Sequence, residues 1–92
     1  MFYSIALVDD TVYGDKMTKL DRLQERLLRR PVDMKFDEVK SILISHGFEN
    51  VRTRGSHFIF TDNSSVISIP VHNNAVKKIY LEKIIEILKL EG

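Results

Sequence analysis

The chain has 92 residues, 43% of them hydrophobic, no cysteine and a formal net charge of +1. That supports one small core, and it excludes a disulfide framework, a thiolate nucleophile and a thiolate metal site. It fits a reducing, cytoplasmic setting, and no apolar run approaches the roughly 20 residues of a membrane span.

The leader, "MFYSIALVDDTVYGDK", is β-branched and aromatic in its first half and rich in turn formers afterwards. It reads either as an extra N-terminal strand or as a loosely packed tail. Without a basic leader or a small-residue cleavage site it does not read as a signal peptide. Residues 1–15 hold Asp9, Asp10 and Asp15 and no Lys or Arg, whereas residues 16–92 hold all 14 basic residues against 10 acidic ones. A mildly basic body behind an acidic leader permits a nucleic-acid partner without demanding one. Met17 offers an alternative start of translation, so residues 1–16 are treated as an extension and 17–92 as the domain.

A first helix is expected over "TKLDRLQERLLRRP", with Thr18 as N-cap, Leu20, Leu23 and Leu27 on one face, and Arg29 and Arg30 closing it before Pro31. A second is expected over "KFDEVKSILISHGFE", with Phe36, Val39, Leu43 and His46 sharing a face and Gly47 at a left-handed C-cap. Strand signals follow at 48–52, 57–62 and 65–71, separated by turns at Arg54-Gly55-Ser56 and Asp62-Asn63-Ser64. "AVKKIYLEKIIEILKLE" (75–91) reads as a final helix, with Val76, Ile79, Tyr80, Ile84 and Leu88 at core spacing. This order predicts an α+β, two-layer domain: a three-stranded antiparallel sheet with helices on one face, preceded by an N-terminal helix.

The chemistry rests on three histidines. None is paired at HxxxH spacing and HExxH is absent, so no metal and no cofactor are expected. Four glycines, at 14, 47, 55 and 92, do not make a phosphate loop. Ser56-His57 lacks the GxSxG context of a nucleophile elbow. His46 closes a helix, where it interacts favourably with the dipole. His72 follows Pro70-Val71 at a strand end and is open to a turn role or an auxiliary site role. His57 opens a strand beside a glycine turn, with Arg52 and Arg54 close by; it reads as a packing residue or as a proton-transfer group. An imidazole titrates near neutral pH, and RNA carries its own nucleophile in the 2′-hydroxyl. A general base with cations at the phosphate meets the need of RNA cleavage. Arg54 and the Lys77-Lys78 pair are candidates for those cations.

The motifs "GFENVRTRGSHFIF", "ISIPVHN" and "VKKIYLEKIIEIL", in that order, resemble the HicA family of toxins from type II toxin–antitoxin systems. The stretch "KLDRLQERLLRRPVDMKFDEVKSIL" resembles a longer-helix branch of that family, so the likeness covers about residues 17–90. The resemblance implies a fold like that of double-stranded RNA-binding domains and a ribosome-independent mRNA endonuclease. It places the catalytic role on the histidine of the Gly-Ser-His turn, His57. Arg52, Arg54, Gly55, Ser56, Lys77 and Lys78 are the RNA contacts proposed beside it. It further implies a HicB-like antitoxin protein that covers the site; a homodimer is a further partner expectation.

Three departures stand out. Phe58 occupies the place where many members carry a second histidine, Lys35 replaces a frequent Thr at the second helix's N-cap, and the leader has no counterpart. Two other function classes remain on the same fold: a non-catalytic RNA-binding module and a protein-interaction domain. The first would retain intact RNA with steep salt dependence; the second would bind no RNA at any salt.

Overall fold

The computed structural model describes residues 18–90; the leader and its expected strand lie outside them. The element order is α1 (Lys19–Leu28), β1 (Asp33–Lys35), α2 (Phe36–Ser45), β2 (Glu49–Arg54), β3 (His57–Thr61), β4 (Val66–Pro70), β5 (Ala75–Lys77) and α3 (Lys78–Leu88).

Helix α1 starts where its cap chemistry dictates. The Asp21 amide donates to Thr18 Oγ1 and the Thr18 amide donates to Asp21 Oδ2, both at 3.1 Å, so two otherwise orphaned N–H groups are satisfied. Its apolar stripe buries Leu23 and Leu27, with Leu20 half-buried beside them. Helix α2 ends through glycine: Gly47 adopts φ +91°. The Gly47 amide donates to the Ile44 carbonyl and the Phe48 amide to the Leu43 carbonyl, both at 3.0 Å. This is the two-bond Schellman pattern, with Phe48 buried in the accompanying apolar contact.

β2, β3 and β4 form an antiparallel sheet in that order, with a bulge between Asn50 and Arg52. Phe58 pairs with Ile69 and Phe60 with Ile67. These four side chains form the sheet's inner face, which packs in one core with Val39, Ile42, Leu43, Leu81 and Ile84 of the helices. A fully buried Phe60 contributes roughly 3 kcal/mol of apolar burial, at the upper end for such a side chain. The succession α2-β2-β3-β4-α3, helices on one face of the sheet, is that of a double-stranded RNA-binding domain, preceded here by α1.

The sequence reading needs two corrections. Residues 75–77 are not the first turn of the last helix but a strand, β5, paired antiparallel with β1 in a second, two-stranded sheet: Asp33 opposite Lys77, Met34 opposite Val76, Lys35 opposite Ala75. Helix α3 therefore starts at Lys78, and its buried residues are Leu81, Ile84 and Ile85, while Ile79 is 58% exposed rather than in the core.

The small sheet also supplies helix caps. Neither Lys35 nor Lys77, the two N-cap residues, makes a side-chain cap. Instead the ladder runs on by one bond at each end. The Phe36 amide donates to the Asn74 carbonyl at 2.7 Å, and the Lys78 amide to the Val32 carbonyl at 2.9 Å. Backbone from the opposite strand thus satisfies the first amide of each helix, and at α2 the Lys35 amide also donates to Glu38 Oε1 at 3.3 Å.

Candidate nucleic-acid interface

The β2–β3 hairpin has a two-residue loop, Gly55-Ser56, between the paired residues Arg54 and His57. Gly55 adopts φ +59° and Ser56 does not share the positive φ, the pattern of a type II′ turn, which takes glycine first. The turn is pinned from the far side: the Val71 amide donates to the Ser56 carbonyl at 2.8 Å, just past the His57–Pro70 pair. His57 thus sits on backbone held by both neighbouring strands.

Strand alternation decides what His57 meets. Residues directly opposite in an antiparallel pair share a face, with Cβ atoms about 4.5–5.5 Å apart. His57 lies opposite Arg54 and Pro70, and Ile59 lies opposite Arg52 and Ser68. So His57, Arg54 and Arg52 all project from the sheet face away from the helices. All three are exposed. Among the described residues the His57 ring makes no hydrogen bond or ion pair. It is held by its backbone and free at its tip.

Phe58 projects the other way. Its ring lies 4.3 Å, centroid to centroid, from that of Phe36 at the start of α2. A second histidine at this position would face the helices, on the opposite side of the strand from His57. The aromatic pair ties the first residue of α2 to the strand that carries His57. Sequence patterning missed this tie, although Phe36 and Phe58 each carried an apolar signal.

The remaining expected residues divide. His72 follows two residues after Pro70, and its backbone pairs with Ala75 across a turn in which Asn73 and Asn74 both take positive φ. The ring is exposed on the same hairpin end as His57. Lys77 and Lys78 stand at the β5–α3 junction, in register with Asp33 and Val32 rather than with His57. The pairing brings together Arg52, Arg54, Gly55, Ser56 and His57; it does not bring the lysines into that ladder. His46, at the end of α2, contacts Gln24 Oε1 through its Nε2 and is occupied in helix packing. Among the described residues no cluster of three His, Asp or Glu is disposed to hold a metal ion.

The family model described as the HicA toxin of bacterial toxin–antitoxin systems matches residues 36–90, more than half of the chain. The chain belongs to the HicA toxin family. Comparison with curated proteins and with solved structures finds no match. The matched stretch runs from the start of α2 through α3 and contains both turns that flank His57, whereas α1 and β1 precede it. Membership in a toxin–antitoxin family implies an antitoxin partner. Among the described residues no helix is long and apolar enough to cross a membrane.

Proposed function

We propose that this HicA-family toxin is an mRNA endonuclease that works without a metal, with His57 as the proton-transfer group. The observation that carries the reading is the exposed His57 ring, unpartnered among the described residues and directly across the ladder from Arg54. RNA needs little else. His57 takes the proton from a 2′-hydroxyl, and the 2′-oxygen attacks the adjacent phosphorus. The P–O5′ bond breaks, the departing 5′-oxygen takes a proton from water while His57 returns its own to solvent, and the products are a 2′,3′-cyclic phosphate and a 5′-hydroxyl. One well-placed general base accounts for on the order of 10²–10⁴ in rate. Arg54 and Arg52 offset the charge that develops on the phosphate oxygens.

In this reading the Gly55-Ser56 turn approaches the RNA backbone closely because it carries little side-chain bulk. Lys77 and Lys78 contact phosphates further along the strand, and His72 is an auxiliary group at the same hairpin end. A HicB-like antitoxin covers this face, and a homodimer remains compatible with it. The test is substrate chemistry. An RNA with a single 2′-deoxy nucleotide at the cleaved position is expected to survive intact, while the all-ribose strand gives 2′,3′-cyclic phosphate ends. Cleavage of the 2′-deoxy strand at the same bond would refute the role of the 2′-oxygen. RNA retained but never cut would favour a binding module on this fold.

A further inference from the structure

Residues 31–92, which contain the whole family-matched stretch, carry eight basic and eight acidic side chains, and residues 1–17 are acidic by two. The positive excess of the molecule therefore sits in residues 18–30, where five basic residues stand against Asp21 and Glu25. For an RNA-directed protein, this leaves those five residues as the main concentration of positive charge for the phosphate attraction that dominates nucleic-acid affinity.

The spacing concentrates that charge. Lys19, Arg22, Arg26 and Arg29 recur at intervals of three and four, which at 3.6 residues per turn confines them to an arc of about 80°. The apolar residues Leu23 and Leu27 occupy the neighbouring arc and are spent on the core. Lys19, Arg22, Arg26 and Arg29 border a shallow groove of about 390 Å³ along the helix, with Leu23 and Glu25 completing its lining. Arg26 is ion-paired with Glu38, and Arg29 is 3.6 Å from Glu25 with its side chain 74% exposed. Lys19 and Arg22 are exposed and have no ion pair among the described residues. With the helices on one face of the sheet and His57 projecting from the other, this stripe lies apart from the His57 turn.

We propose that the outer face of α1 is a phosphate-binding surface for single-stranded RNA, separate from the His57 turn and engaged by strands long enough to reach both. The proposal rests on the reading that the protein acts on RNA. Guanidinium groups are suited to it, since they bind phosphate bidentately and also stack on unpaired bases. A tetranucleotide is the short probe expected to engage the His57 turn alone.

The test uses the full chain and its Lys19→Gln/Arg22→Gln/Arg29→Gln variant, which leaves the Arg26–Glu38 pair intact. Binding of a fully 2′-O-methylated RNA of about 30 nucleotides, whose capped 2′-oxygens prevent cleavage, is measured by anisotropy across a salt series. The variant is expected to bind at least about tenfold more weakly, with a log–log salt slope shallower by about 2, since each lost single-strand phosphate contact removes about 0.7. Its cleavage of a tetranucleotide should match that of the parent. Equal affinity and equal slope for the two proteins would overturn the proposal, as would parallel loss of tetranucleotide cleavage. Should the triple variant melt early, Arg22→Gln alone replaces it, with a slope change of about 0.7. Binding that depends on α1 without any RNA cleavage would leave this inference standing and remove the nuclease reading instead.

Discussion

A side chain does proton chemistry only where its tip is open and its backbone is fixed, and His57 meets both conditions through its neighbours. Gly55 provides the positive φ, the Ser56 carbonyl is held by the Val71 amide, and Phe58 anchors the next residue against Phe36. At the opposite end of the β3–β4 hairpin a different polar residue does purely structural work. The amides of Ser64 and Ser65 donate to Asp62 Oδ1 at 3.0 and 2.8 Å, and these bonds hold its carboxyl below the usual carboxylate range. A depressed folded-state value means that stabilisation is present above the unfolded carboxylate's pKa, about 3.9, and is lost as pH falls through the lowered folded value. Urea midpoints followed downward through the acid range should fall less steeply in Asp62→Asn, which keeps the acceptor oxygen and removes the charge. Identical acid limbs in the two proteins would mean that the Asp62 charge contributes nothing there.

At the scale of elements, the helices and the three-stranded sheet were legible because each carries a local signal that agrees with its tertiary role. Thr18 caps α1, Leu23 and Leu27 set its face, and Gly47 ends α2. The small sheet was not legible. Three-residue strands have no period to read, and Ala75-Val76-Lys77 runs into a strongly helical sequence, so only pairing with Asp33-Met34-Lys35 decides its state. That pairing also moves the start of α3 to Lys78 and turns Ile79 outward. The candidate site was legible at His57, where a turn and a family motif coincide. The direction of Phe58 was not legible, because it depends on strand register rather than on residue type. The glycine cap gives a measurable consequence. A Cβ at Gly47 meets nothing within 4 Å, so Gly47→Ala is resisted by backbone conformation alone, about 1–2 kcal/mol for a left-handed L-residue. Equilibrium denaturation should show that loss. No loss would mean that the α2–β2 joint adopts another geometry without penalty.

For the whole molecule, two faces of one sheet divide the labour. The inner face, with Phe58, Phe60, Ile67 and Ile69, joins the helices in the core, and the outer face presents His57 with Arg52 and Arg54. Helix α1 lies outside the family-matched stretch, yet its Leu23 and Leu27 belong to the same core, so it is a working part of this domain. A domain of this size has a stability of roughly 5–14 kcal/mol, and removing an exposed ring with no hydrogen bond from the outer face should change that by no more than about 0.5 kcal/mol. The proposed catalytic role of His57 can therefore be tested apart from folding. The most direct measurement is therefore RNA cleavage by the purified protein and its His57→Ala variant in excess EDTA, with circular dichroism and thermal melts on both. The account predicts cleavage by the parent alone, from two proteins with matching spectra and melts. Undiminished cleavage by His57→Ala, or a parent that leaves RNA intact, would contradict it.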